Sequence, residues 1–138
     1  MTLKVALPNK GSLSEAAIAI LREAGYRQRN DVRDLIFIDP ENDLEFYYLR
    51  PRDIAIYVGS GELQIGITGR DLLIDSAAEA NEILGLDFGK STFRFAAATQ
   101  YSNETEIARK RIATAYPGIV ASYLNEKRVI ATIVKLDG

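Results

Sequence analysis

The chain has 138 residues, 47% of them hydrophobic and 26% charged, the size and balance of one ordinary soluble domain or one and a part. It contains no cysteine and no histidine, which excludes disulfides, thiolate catalysis, Cys-ligated zinc and an imidazole base. A net charge of −2 speaks against non-specific nucleic-acid binding, and no apolar run approaches the ~18 residues of a membrane span. The start, MTLKVALPNKGS, has too short an apolar run before Pro8 for a secretion signal, so a reducing cytoplasm is the expected location.

Leu3, Val5 and Leu7 alternate, and Ala6 leaves the run apolar on both faces, the pattern of a buried strand. Pro8-Asn9-Lys10-Gly11 is a turn. Ser12 and Glu15 predict a capping box. Behind it, Leu13, Ala16, Ala17, Ile20, Leu21 and Ala24 recur at helical spacing, and Gly25 is a left-handed stop. A strand feeding a helix puts the loop at the strand's carboxyl end, where open α/β sheets bind ligands. Leu35–Ile38 and Leu44–Leu49 predict a hairpin closed by Asp39-Pro40-Glu41-Asn42-Asp43. Arg50 is held extended by Pro51, which suits the first turn of a helix. Ile54, Tyr57 and Val58 give that helix its apolar face, and Gly59-Ser60-Gly61 ends it. A strand over Leu63–Thr68 and a helical turn over Asp71–Asp75 follow. Ile83–Leu86 and Thr92–Thr99 are expected to be strands, the second with Phe93 and Phe95 on one face. Tyr101–Glu106 is polar and turn-like, a candidate hinge. Arg111–Ala115, a helix from Pro117 to about Lys127, and Val129–Leu136 form strand–helix–strand, the unit of a parallel sheet. Such a sheet would normally continue with a covering helix, so an incomplete architecture is expected.

The candidate chemistry lies in loops, and each loop has a plainer alternative. Lys10, Gly11 and Ser12 at a helix entry can hold an anion through backbone N–H groups, the helix dipole and the lysine, or form an ordinary capped helix. Arg50-Pro51-Arg52-Asp53 can present two guanidiniums to phosphates, or form a surface turn. Thr68, Gly69, Arg70 and Asp71 can bond a nucleotide or sugar, or make a strand–turn–helix capped by Asp71. Tyr116 before Pro117 can stack on a base or fill a turn. Asp137 at a strand's carboxyl end can touch a ribose or a metal-bound phosphate, or simply end the strand. The acidic pairs Glu41/Asp43 and Glu104/Glu106 read as solvated loop residues. No glycosidase carboxylate pair, HExxH, GxSxG or dinucleotide fingerprint is present.

Taken together, Leu7–Leu13 (LPNKGSL), Leu49–Leu73 (LRPRDIAIYVGSGELQIGITGRDLL), Phe88–Ala96 (FGKSTFRFA) and Lys110–Tyr116 (KRIATAY) resemble, in order and spacing, the catalytic subunit of the ATP phosphoribosyltransferase family. That family carries out the first committed step of histidine biosynthesis. The resemblance implies an α/β fold like the type II periplasmic binding proteins, with two lobes. Residues 1–98 would form the first lobe, with a hinge following about residue 90, and residues 99–138 would begin a second, incomplete lobe. It implies a glycosyltransferase in which N1 of the adenine of ATP attacks C1 of phosphoribosyl pyrophosphate while Mg²⁺ neutralises the departing pyrophosphate. The substrate-binding residues it implies are Lys10, Gly11, Arg50, Arg52, Gly69, Arg70, Asp71 and Tyr116. Lys10 and Arg50 would contact phosphates, and Arg70 and Asp71 would hold nucleotide or ribose; no residue is assigned a catalytic or metal-ligating role. ATP and phosphoribosyl pyrophosphate are the implied partners, with no nucleic acid or membrane, and the complete enzyme is expected to be a homo-oligomer. The family's acidic, Ser/Thr and Gly loop for the 5-phosphate would follow Leu136-Asp137-Gly138 and has no match here, and Gln64 stands where the family commonly has aspartate. The alternative is a truncated fragment or a non-catalytic nucleotide- or anion-binding module without transferase activity of its own.

Overall fold

The computed structural model describes residues Met1–Asp137 and divides into two compact units, one of Met1–Lys90 and one from Ser91 onward. The first unit contains β1 (Leu3–Pro8), α1 (Ser12–Glu23), β2 (Ile36–Asp39), β3 (Leu44–Leu49), α2 (Pro51–Gly59), β4 (Ile65–Gly66) and α3 (Arg70–Ser76). Its sheet has the order β2-β3-β1-β4. β1 pairs parallel with β3 from Leu3↔Leu44 to Pro8↔Leu49, and parallel with β4 at Val5↔Ile65 and Ala6↔Gly66. β2 returns antiparallel against β3, as the hairpin pattern predicts.

The central place of β1 follows from its sequence. Val5, Ala6, Leu7 and Pro8 are all buried, so both faces of the strand need cover. On one face Val5 and Leu7 pack with Phe46 and Tyr48 of β3, and Leu21 of α1 and Tyr26 close over them. On the other, Ala6 packs with Ile54 of α2 and Leu63, flanked by Val58. Burying each large side chain of this kind contributes about 1.5–3 kcal/mol.

The ends of α1 show how the chain enters and leaves this layer. The N-cap is Gly11, at φ 84° and ψ −175°, a conformation essentially reserved for glycine. Ser12 is already the first helical residue, so the expected Ser12–Glu15 capping box does not form and no side chain caps the helix. The C-terminus ends as predicted: Gly25 has φ 93°, its N–H donates to Arg22 O, and the Tyr26 N–H donates to Leu21 O. This reciprocal pair lets Tyr26 fold back beside Leu21 onto the core.

Other expectations are corrected. The strand expected over Leu63–Thr68 is regular only at Ile65–Gly66, although the Gln64 and Ile67 N–H groups still donate to Lys4 O and Ala6 O of β1. On α2, Ile54 and Ala55 are buried while Tyr57 faces solvent, so the buried face is rotated from the predicted one. Ile83–Leu86 forms no strand; Ile83 and Leu84 are exposed. Thr92–Thr99 also lacks a strand ladder. Its Phe93 and Phe95 instead lean on Tyr116 and Tyr123, with ring centroids 4.9 and 5.6 Å apart.

The second unit holds a short 3-10 helix (Glu104–Ile107), β5 (Arg111–Thr114), α4 (Pro117–Lys127) and β6 (Thr132–Lys135). β5 and β6 pair parallel across α4, the predicted strand–helix–strand. Among the described residues, no helix is long and apolar enough to cross a membrane.

α2 approaches β4 closely because Gly66 has no side chain. A Cβ there would lie 2.5 Å from Ile54 Cγ2 and 3.2 Å from Val58 Cγ2. Gly66→Ala is therefore expected to destabilise the first unit by about 1–3 kcal/mol in urea unfolding. An unchanged midpoint would contradict this helix–sheet packing.

Candidate functional site

β1, β3 and β4 run parallel, so the loops that follow them share one edge of the sheet. β1 leads into α1 on the Val5/Leu7 face, whereas its neighbour β3 leads into α2 on the Ala6 face. Where adjacent strands send their helices to opposite faces, the chain opens a crevice at the carboxyl ends, the usual ligand position of an open α/β sheet. Lys10 and Gly11 leave one side of that point, and Arg50 and Arg52 leave the other. The two exits are tied where they part, because the Asn9 N–H donates to Leu49 O at 2.8 Å. The β4 exit is tied in turn: Thr68 Oγ1 donates to the Pro51 carbonyl at 2.8 Å. The fold thus gathers Lys10, Gly11, Arg50, Arg52, Gly69, Arg70 and Asp71 at one sheet edge of the first unit. Tyr116 belongs to the second unit, where it precedes α4, donates its N–H to Thr114 Oγ1 at 2.9 Å and meets Phe93 edge-on.

α1 and α2 both begin at this edge, and neither is capped by a side chain. Their first-turn N–H groups and the positive ends of their dipoles favour an anion there. The side chains differ in how firmly they are held. Lys10 is exposed, and its backbone N–H has no hydrogen-bond acceptor among the described residues. Arg50 is exposed and bonds Asp53 from Nε at 2.9 Å, a solvent-facing pair of small energetic weight. Arg52 bonds the buried Asp75 at 3.3 Å and so links α2 to α3. Arg70 lays its guanidinium fork on Glu82 at 2.8 and 2.6 Å. Asp71 accepts the Leu72 N–H at 2.9 Å, and its carboxylate occupies the space a side chain on Gly69 would need. Gly69 therefore accommodates a protein carboxylate.

Sequence reading misses two residues here. Glu82 sits in an irregular segment, twelve residues beyond Arg70. Arg29, only 5% exposed, donates to the carbonyls of Val32, Asp34 and Asn9 at 2.8, 2.7 and 2.6 Å, with its guanidinium 4.0 Å above the Tyr48 ring. Burial pushes the Tyr48 phenol above its ordinary pKa, which keeps it neutral and donating to Gln28 Oε1 at 2.8 Å. Asn9 Oδ1 and Arg29 Nε are buried without partners among the described residues, a cost of about 1–3 kcal/mol per group that the surrounding fold must offset. Buried Arg is rare enough that a basic, polar run such as Arg27-Gln28-Arg29-Asn30 reads as solvated surface.

The Arg70 bonds hold the Glu82 carboxyl below the usual carboxylate range, so the pair is intact above about pH 4.3 and is lost as pH falls through the depressed folded value. Carboxyl NMR should place the Glu82 midpoint below the ordinary glutamate value, and Arg70→Ala should raise it. A midpoint that the substitution leaves unmoved would contradict the pairing.

A family model described as HisG: ATP phosphoribosyltransferase matches residues 50–138. The ATP phosphoribosyltransferase of Paenarthrobacter aurescens is 58% identical over 137 residues, covering 99% of this chain and 48% of the relative. That of Salinispora tropica is 56% identical over 137 residues, covering 99% and 49%. The chain spans about half the length of the curated relatives it matches. A solved ATP phosphoribosyl transferase (HisG:HisZ) complex from Thermotoga maritima superposes with a TM-score of 0.71 at 23% identity, covering 99% of this chain and 65% of that one. At that identity the likeness speaks to the fold alone, which is mixed α/β in both units. On the family match and the close relatives together, the chain belongs to the ATP phosphoribosyltransferase family.

Proposed function

We propose that this chain supplies the nucleotide- and phosphate-binding edge of an ATP phosphoribosyltransferase, which transfers phosphoribosyl from phosphoribosyl pyrophosphate to N1 of ATP in the first step of histidine biosynthesis. The observation that carries the reading is the β1/β3 switch point, where two helix N-termini without side-chain caps begin beside Lys10 and Arg50. Family membership names the substrates.

In the reaction, the adenine N1 lone pair forms a bond to C1 of the phosphoribosyl group as the bond from C1 to the pyrophosphate oxygen breaks. The leaving oxygen takes the electron pair. The attacking nitrogen needs no strong base, which suits a chain without histidine. Catalysis then rests on holding two anionic substrates in line and stabilising the charge that develops on pyrophosphate. Lys10 and Arg50 are the phosphate contacts, with the N–H groups at Gly11 and the start of α1 beside them. Arg70 and Asp71 hold nucleotide or ribose; a ligand at Arg70 must share or replace the Glu82 carboxylate. Arg52 supports the edge through Asp75, and Tyr116 is the base-stacking residue. As the family resemblance implies, magnesium would serve as the counter-ion of the substrates' phosphates.

The finer architecture belongs to the same proposal. Residues to about 90 belong to the first lobe, a hinge follows, and residues from about Thr99 belong to a second, in the manner of type II periplasmic binding proteins. The compact unit of Met1–Lys90 and the likeness to the Thermotoga maritima structure support it. Assembly as a homo-oligomer and a cytoplasmic location complete the reading.

In a complete enzyme carrying this segment, Arg50→Ala and Lys10→Ala should each lower kcat/KM or substrate affinity by about tenfold or more, the weight of a charge-assisted phosphate bond. Unchanged kinetics would remove that residue from the site. Binding of ATP by this chain without product formation from both substrates would support a binding module in place of a transferase.

A further inference from the structure

Arg29 carries a full positive charge into the interior and has no carboxylate within ion-pair distance among the described residues. Asp31 acts on it only at longer range; burying a cation with no carboxylate bonded to it is costly, so its position calls for a reason beyond packing. Among the described residues, every partner of its guanidinium is a backbone carbonyl or an aromatic face. The partners at Val32 and Asp34 are local and fix the segment that leads into β2. The partner at Asn9 is twenty residues away in the loop between β1 and α1. Tyr48 of β3 fixes Arg29 from behind, through its ring and by accepting the Arg29 N–H at 3.2 Å.

The Asn9 carbonyl and the Lys10 N–H belong to one planar peptide group. A guanidinium bonded to that carbonyl at 2.6 Å draws electron density through the peptide and makes the N–H on its other end a stronger donor. That N–H, like that of Gly11, has no acceptor among the described residues, and it is the one whose peptide carbonyl Arg29 holds. The Asn9 N–H, meanwhile, is fixed on Leu49 O, so the peptide groups on both sides of Asn9 are oriented by β3 and by a residue stacked on it. We infer that Arg29 is a buried positioning residue that aims and polarises the Asn9–Lys10 peptide, so that the Lys10 N–H is a preset donor for a phosphate oxygen. The inference rests on the phosphate-binding reading of this edge. It adds a residue that does not itself touch substrate.

The test uses this 138-residue chain, its Arg29→Lys variant and inorganic pyrophosphate as the probe. Lysine keeps the charge but cannot span three carbonyls. In the wild type, the Arg29 Nη–H signals should be resolved and slow to exchange. Arg29→Lys should move the Lys10 amide proton upfield and weaken pyrophosphate binding about tenfold, measured well below the unfolding midpoint. A purely structural role would lower that midpoint while leaving the Lys10 amide shift and the affinity in place, and this result would overturn the inference. Should the variant not fold, rapidly averaged Arg29 Nη–H signals in the wild type would overturn it, and resolved signals that move on adding pyrophosphate would support it. A wild-type chain that binds no pyrophosphate would refute the phosphate reading itself, and the Lys10 amide shift would still decide whether Arg29 sets the peptide.

Discussion

From Val5 to Pro8, β1 is buried on both faces, with β3 along one edge and β4 beside Val5 and Ala6 on the other, and the rest of the first unit is arranged to satisfy it. Two faces need two layers of cover, so α1 and α2 pack on opposite sides of the sheet. Parallel pairing on both edges obliges the chain to leave β1, β3 and β4 from the same end. Diverging helices from a common edge leave a crevice between them. The candidate site is thus a geometric consequence of covering one apolar strand. It needs only the right side chains in the loops, and Lys10, Gly11 and Arg50 stand there.

The cations of the first unit are graded by how firmly they are held. Arg29 is locked by carbonyls and a ring, and Arg52 is anchored to a buried carboxylate. Both suit a supporting role, because neither can turn toward a ligand without leaving buried groups unmet. Arg50 and Arg70 instead hold carboxylates open to solvent in different degree, the half-buried Asp53 and the exposed Glu82. Such pairs orient a guanidinium yet contribute little, so a phosphate with more charge can displace the carboxylate. Gly11 adds the last element: its positive φ turns the loop sharply enough for α1 to begin at the strand end.

Much of this was legible in the sequence because the signals were local. The apolar alternation of β1, the glycine stop of α1, the Asp39–Asp43 turn and Pro51 each act within a few residues. Pro117 did the same for α4. Signals that depend on a distant partner misled or were silent. Ile83–Leu86 has the apolar content of a strand but meets no strand to pair with. Phe93 and Phe95 alternate as in a strand, yet their partners are the rings of Tyr116 and Tyr123. Ser12 and Glu15 have capping-box spacing, but Gly11 takes the cap one residue earlier. At the site, the arginines and their strand-end positions could be read directly, whereas Glu82 beside Arg70 and Arg29 beneath Asn9 emerge only from tertiary contacts.

Under the proposed function, the edge where β1 and β3 end binds the phosphates of ATP and phosphoribosyl pyrophosphate. A titration of the ¹⁵N-labelled chain with each ligand, followed residue by residue in amide NMR spectra, tests it most directly. The largest shifts should fall on residues 9–13 and 50–54, at the starts of α1 and α2. Shifts confined to the β2–β3 hairpin or to the carboxyl end of α1, with residues 9–13 and 50–54 unmoved, would contradict it.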